Sequence, residues 1–193
     1  MTLLKALLWP LEAFNDAVLP LGRMLAVAAL ALMVIVTLLQ VFFRYVLGDA
    51  LPWPDEAARF LMLWMTGLIA PLAYRQGGFV AIDMVERALP RPAAAALALT
   101  LLLISLAVLV TAVWFGWRHV NSGWLFASSS LRLPLDWFGG ETVRLKLAWM
   151  YLSIWTGMVL LTIVNVELIL RALVTLAGGQ PKPLAHAALP EAE

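Results

Sequence analysis

The sequence predicts an all-α integral membrane four-helix bundle carrying amphipathic interfacial helices, and three observations predict it. Residues of the AVILMFWYC set make up 63% of the 193 residues and charged residues only 13%, about half the charge of a soluble domain. Four long apolar stretches recur along the chain, each of about 20 residues or more, the length that crosses a hydrocarbon core about 30 Å thick. Two further segments place apolar and charged residues on opposite faces at helical spacing, the pattern of a helix lying on a bilayer surface. A water-soluble fold of this length has no interior large enough for such an apolar load, whereas lipid receives it.

The first interfacial segment is Leu3 to Leu19. Leu4, Leu7, Leu8, Leu11, Phe14 and Val18 recur at helical spacing, with Lys5, Glu12 and Asp16 on another face. Lys5 is followed by a short apolar run that meets Pro10 and Glu12 at once, so the segment is expected to stay in the mature protein rather than be cleaved as a signal peptide. Pro20 and Gly22 predict a bend out of it. The first span follows at 24–43, bracketed by Arg23 and Arg44, with Gln40 its one strongly polar residue. The second span is expected at 55–74, opened by Pro52-Trp53-Pro54-Asp55, a proline and acid signal at the positive end of a helix dipole. Pro71 is expected to kink this helix near its far end, freeing a carbonyl that a neighbouring helix must satisfy.

Gly77-Gly78 ends the second span, and Val80 to Leu89 reads as a short amphipathic helix with Asp83 and Arg87 paired at i,i+4. The third span, 93–117, carries no charge. The segment from Arg118 to Lys146 is too long for a structureless loop and is expected to lie against the headgroups. In the fourth span, 147–170, Ser153 and Gly157 form a small-xxx-small step suited to close helix packing. The chain thus divides into an interfacial helix over 1–21, a four-span membrane domain over 22–172, and an Ala- and Pro-rich tail over 173–193 that composition predicts to be disordered.

Four spans place both termini on one side. That side holds Lys5, Arg23, Arg75, Arg87, Arg91, Arg171 and Lys182, and the other holds Arg44, Arg59, Arg118, Arg132, Arg144 and Lys146. So even a split of basic residues assigns no cytoplasmic face. Tryptophan is uneven: Trp53, Trp114, Trp117, Trp124, Trp137 and Trp149 fall at or near the side away from the termini, marking a thick interfacial belt.

Chemistry is sparse. The net charge of +1 points to no nucleic-acid partner, and the absence of cysteine excludes disulfides and thiol chemistry. His119 and His186 sit at a span end and in the tail, so no histidine pair faces another across the bundle to hold haem, and no cofactor is expected. No zincin, nucleophile-elbow or phosphate-loop motif appears, and Ser128 to Ser130 read as a polar turn. Glu167 and Asn165 lie about one turn from the end of the fourth span, and Arg44 and Arg118 at span ends where snorkelling is cheap, so none of them reads as a transport site. The densest polar cluster is Arg44, Asp55, Glu56 and Arg59 around the turn between the first two spans. It fits either span-end anchoring or an ion-pair patch that fixes a hairpin or meets a partner. Trp53 fits either a belt or a partner contact, and Gln40 a hydrogen bond within the bundle or to another protein.

Gln40-Val41-Phe42-Phe43-Arg44-Tyr45 followed by Trp53-Pro54-Asp55-Glu56-Ala57-Ala58-Arg59 resembles the small membrane subunit, DctQ type, of the tripartite ATP-independent periplasmic (TRAP) transporters. Arg75 and Asp83 match further positions of that pattern, with Phe79 where a histidine is usual, as do Tyr151 and Gly157, with Trp155 in place of a proline. The resemblance covers about Leu19 to Leu170. It implies a small permease subunit, not an enzyme, in the bacterial inner membrane with both termini cytoplasmic. Its implied partners are lipid, a large multi-span subunit that binds substrate and sodium, and a periplasmic solute-binding protein that delivers an acidic organic solute. Gln40, Arg44, Trp53, Asp55, Glu56, Arg59, Arg75 and Asp83 are then the candidates for a structural or partner-facing patch, with no catalytic, substrate or metal residue in this chain. The competing readings are a membrane anchor for a respiratory or redox complex, which needs cofactor ligands, and an intramembrane enzyme, which needs a nucleophile and base.

Overall fold

A computed structural model of the chain describes residues 2–77, 90–133 and 143–179. Four helices carry nearly all of it: α1 (Thr2–Tyr45), α2 (Pro54–Arg75), α3 (Arg91–Gly123) and α4 (Ala148–Leu176), with a two-stranded antiparallel sheet, β1 (Ala127–Leu133) and β2 (Val143–Lys146), between the last two. All four helices are long and apolar enough to cross a membrane. The fold is the all-α, four-span architecture that composition predicts. The predicted helix over 80–89 and the greater part of the tail lie outside the described residues.

The largest difference from the sequence reading is at the start. No break separates the predicted interfacial helix from the first span: α1 is one helix of 44 residues that passes through both Pro10 and Pro20. At about 1.5 Å per residue it is about 66 Å long, about twice the hydrocarbon thickness, so at ordinary tilts one end projects beyond it. The reason is written in its inner face. Leu8, Glu12, Asn15, Leu19, Gly22, Ala26, Ala29, Met33, Val36 and Gln40 follow one another in alternating steps of four and three and are each buried or half-buried. A mean step of 3.5 residues keeps one seam against neighbouring helices along the whole length. Each internal proline deletes one backbone hydrogen bond, and the continuous seam on both sides of it holds the helix in register.

Helix α4 is the centre of the bundle, in contact with α1, α2 and α3, and α1 packs on both α2 and α4. Its buried residues run from Ala148 to Val174. Helix α3 packs chiefly on α4 and leaves Leu103, Ile104, Val108, Val110, Trp114 and Phe115 exposed, as expected of side chains solvated by lipid.

The contact of α2 with α4 is made by glycine. A Cβ on Gly157 would lie 2.6 Å from the carbonyl oxygen of Gly67 and 2.8 Å from its Cα, closer than any side chain allows. That carbonyl is the one Pro71 deprives of its helical donor, four residues on. The bare backbone of Gly157 leaves room for that oxygen to sit against α4. Ser153, one turn before Gly157, is also buried, with its hydroxyl donating to the Met150 carbonyl at 2.6 Å. The small-xxx-small step is therefore the α2–α4 crossing itself.

Gly157→Ala is expected to destabilise the bundle by about 1–3 kcal/mol and Gly157→Leu by more, because the backbones must separate. The shift in thermal midpoint of the detergent-solubilised protein measures it. A change at Leu103, exposed on α3, should move the midpoint little.

Candidate functional site: a buried arginine–carboxylate network

The polar interior lies at the end of the bundle that carries both termini. Glu167 of α4 is fully buried. One carboxylate oxygen, Oε1, accepts from Arg75 Nη2 at 2.8 Å and Arg171 Nε at 2.8 Å; the other, Oε2, accepts from Arg75 Nε at 2.9 Å and Asn15 Nδ2 at 2.5 Å. Arg75, the last residue of α2, thus grips Glu167 with a bidentate fork and turns its third nitrogen, Nη1, to Asp16 at 2.6 Å. Arg171 reaches Glu12 through Nη2 at 2.6 Å. Three helices are joined by two guanidinium groups around one carboxylate.

Local helix geometry produces this arrangement. Glu167 and Arg171 are i,i+4 neighbours on α4, so their side chains meet without backbone adjustment. Glu12, Asn15 and Asp16 are i, i+3 and i+4 on α1 and therefore share the face that the seam turns inward. An isolated carboxylate in this position would be prohibitively desolvated; charge-assisted bonds to two arginines, one bidentate, make its burial tolerable. Leu19, Leu72 and Val164 close over the network as an apolar layer, with Ile69, Tyr74 and Leu168 around it. Beside them Asn165 donates to the Tyr74 hydroxyl at 2.7 Å.

The opposite end has a smaller polar contact. Glu56, in the first turn of α2, accepts from the backbone N–H of Ser130 at 3.0 Å and from the Ser130 hydroxyl. Between Ala127 and Arg132 the strand register slips, and the extra residues of β1 form an irregular bulge that brings Ser130 onto Glu56. Ser128 is buried there, its Oγ accepting from the Leu131 N–H at 2.8 Å.

Of the residues the sequence singled out, Arg75 belongs to the network and Glu56 to the contact with β1. Trp53 is half-buried at the start of α2, where its carbonyl accepts from the Ala57 N–H at 3.0 Å. Asp55 and Arg59 are exposed along α2, and Arg44 is exposed with its guanidinium 5.8 Å from the centre of the Tyr45 ring. No ion pair joins Arg44, Asp55, Glu56 and Arg59 to one another. Gln40 closes the buried seam of α1, its Oε1 without a hydrogen-bond partner, and Asp83 lies outside the described residues. His119 stacks on Tyr151, ring centres 4.1 Å apart, and Trp155 donates to the Val113 carbonyl at 3.1 Å, so both serve the α3–α4 contact.

Sequence reasoning missed Glu12, Asn15, Asp16, Glu167 and Arg171. The signal for two of the α1 residues was present: Glu12 and Asn15 stand on the same alternating stripe as Leu8, Leu19 and Gly22. A polar residue repeatedly on an apolar seam marks an interior position, not a solvated face. Glu167 was read as peripheral from its depth along the span, and depth says nothing about lateral burial between helices. Among the described residues no group of three or more histidine, aspartate or glutamate side chains is placed to hold a metal ion.

The fold defines a polytopic α-helical membrane protein whose buried charges pair with one another. The family described as tripartite ATP-independent periplasmic transporters, DctQ component, matches residues 33–175, and the chain belongs to that family. It is a family of small permease subunits of TRAP transporters, a transporter component and not an enzyme family. No curated protein matches the chain. The matched region holds Arg75, Glu167 and Arg171, while Glu12, Asn15 and Asp16 precede it.

Glu167→Ala leaves two buried guanidinium groups short of their shared partner and is expected to cost about 3–5 kcal/mol. Asp16 is 43% exposed, so Asp16→Ala should cost below about 1 kcal/mol after solvent screening. Thermal unfolding of the two variants in detergent should rank them in that order; equal shifts would show that Glu167 does not anchor the network.

Proposed function

We propose that this chain is the static brace of its transporter: it fixes a large transport subunit in the bilayer, and that partner, not this chain, binds solute and coupling sodium. The carrying observation is that the buried carboxylate and the two guanidiniums of the bundle are consumed by one another. A charge that binds cargo must be available to exchange partners, and Glu167 holds four donors at once. Acidic organic solute, delivered by a periplasmic binding protein, is the cargo that the family resemblance favours. On this reading the chain sits in the bacterial inner membrane with both termini cytoplasmic, and its tryptophan-rich end faces the periplasm.

The partner's seat on this reading is the outward face of α2. Asp55, Arg59, Met62, Thr66 and Ala73 form an exposed stripe down that helix. Arg59 lies about one turn inside the span, where a charge facing lipid is costly and a protein partner removes the cost. The outer faces of α1 and α3 at the same depth carry Leu, Val, Ile and aromatic residues, which lipid solvates well. Arg44 and Trp53, at the adjoining turn, flank the stripe, and Gln40 and Glu56 support it from within. Arg75 belongs instead to the opposite end, as a residue that holds the bundle together.

Deleting the chain is expected to abolish uptake, and Arg59→Leu to reduce the large subunit recovered with it on purification by about tenfold. Glu56→Ala should weaken uptake through loss of assembled complex, with the apparent affinity for solute unchanged. Normal uptake by the deletion strain overturns the reading.

A further inference from the structure

The hairpin between α3 and α4 carries a charge arrangement that folding alone does not favour. Arg132 and Arg144 are direct partners across the antiparallel pair, which puts their Cβ atoms about 5 Å apart on one face, where like charges repel. Both are exposed, neither forms an ion pair with another of the described residues, and Lys146, two residues beyond Arg144, is exposed on that same face of β2. Leu131 and Leu145 are half-buried between them. Three cations thus stand together with no anion among the described residues to separate them.

The hairpin is held flat over the end of the bundle. Its base is closed by the Leu147 N–H donating to the Phe126 carbonyl at 3.2 Å, at the junction of α3 and α4, and mid-strand Ser130 is bound to Glu56 on the first turn of α2. A strand fixed at both points is held against the end of the bundle. Beside the base, Trp124, Phe126 and Trp149 are exposed, Trp124 and Trp149 meeting edge to face, and Leu125 is 79% exposed. Such side chains mark headgroup depth.

From this juxtaposition we infer that Arg132, Arg144 and Lys146 form a binding site for the phosphate of an anionic phospholipid. A phosphate between two guanidinium forks removes the repulsion and accepts paired charge-assisted hydrogen bonds, while the acyl chains meet the aromatic side chains below. A carboxylate-bearing protein surface has the same charge but would leave Trp124, Leu125 and Phe126 uncovered by lipid. The site is independent of the transport reading, since it depends only on this chain and a bilayer.

The test is retention of phosphatidylglycerol against phosphatidylcholine by the purified full chain, read by native mass spectrometry from nanodiscs of equal mixture. Wild type should retain phosphatidylglycerol. The double change Arg132→Gln/Arg144→Gln should lower its retention about thirtyfold, about fivefold for each arginine near an anionic surface, and Arg23→Gln, exposed on α1 away from the hairpin, should not. Arg144→Glu gives Arg132 an oppositely charged cross-strand partner, so the hairpin keeps its fold while retention is lost. Unchanged retention in the double and Arg144→Glu variants overturns the site. Displacement of the lipid by millimolar inorganic phosphate would make it a free-phosphate site, and loss of solute-binding-protein capture with lipid retention intact would make it a protein contact; either result overturns the lipid assignment.

Discussion

The bundle depends on the solution found for one buried carboxylate. Glu167 has no access to solvent, and a lone charge in that place would cost more than the whole net stability of a domain. It is tolerated because Arg75 arrives from α2, Arg171 from the turn below on α4, and Asn15 from α1. The requirement works in both directions. Because the carboxylate needs all three, α2 must end at Arg75 where it does, and the first turns of α1 must continue as helix to bring Asn15 into reach. Apolar packing in a membrane specifies such things poorly, since lipid is as good a partner for leucine as another leucine. An ion pair with fixed geometry discriminates between registers that packing alone leaves nearly degenerate. Removing the carboxylate therefore exposes both arginines, whereas removing Asp16 takes away only a half-solvated third contact.

A second constraint acts at the middle of the bundle. The α2–α4 crossing at Gly67 and Gly157 brings two backbones together, and close approach maximises dispersion contacts where no hydrophobic force between helices exists. Pro71 belongs to the same device: the carbonyl it leaves unpaired points into the one place where no side chain intervenes. Polar anchoring at one end, backbone contact in the middle and the Glu56–Ser130 bonds at the other end fix α2 along its whole length. A helix held at three levels is suited to present a fixed outward stripe.

Much of this was legible in the sequence, for reasons that particular residues make plain. The spans follow from length and hydropathy, the start of α2 from Pro54 and the acids after it, and the close crossing from the spacing of Ser153 and Gly157. What failed was the treatment of Glu12 and Asp16 as the wet face of a surface helix. Pro10 and Pro20 argued for a break, and local rules gave no weight to a seam of period 3.5 running past both. The partners of that seam lie about 60 and 150 residues away in the chain, on α2 and α4, and long-range pairing of charges is invisible to a window of one helix. The hairpin was hidden for a similar reason. Ser128 to Ser130 carry turn-like residues, and only the slipped register between Ala127 and Arg132 turns them into a bulge aimed at Glu56.

The two ends of the bundle answer different physical demands. At the end that carries the termini, Glu167 and the two arginines that hold it are buried and matched with one another. At the other end, the cations of the hairpin are exposed and have no anion beside them among the described residues, tryptophans crowd the surface, and α2 opens with acids that only partly turn inward. A protein that only needed to fold would gain nothing by setting Arg132 opposite Arg144 or by leaving Arg59 on an outward face. Charge left unbalanced at the surface is informative because its cost is met only when something else is bound. On the proposed reading that something is lipid phosphate at the hairpin and a larger subunit along α2, which together would fix the depth and the rotation of a brace whose buried carboxylate and guanidiniums, among the described residues, already hold one another.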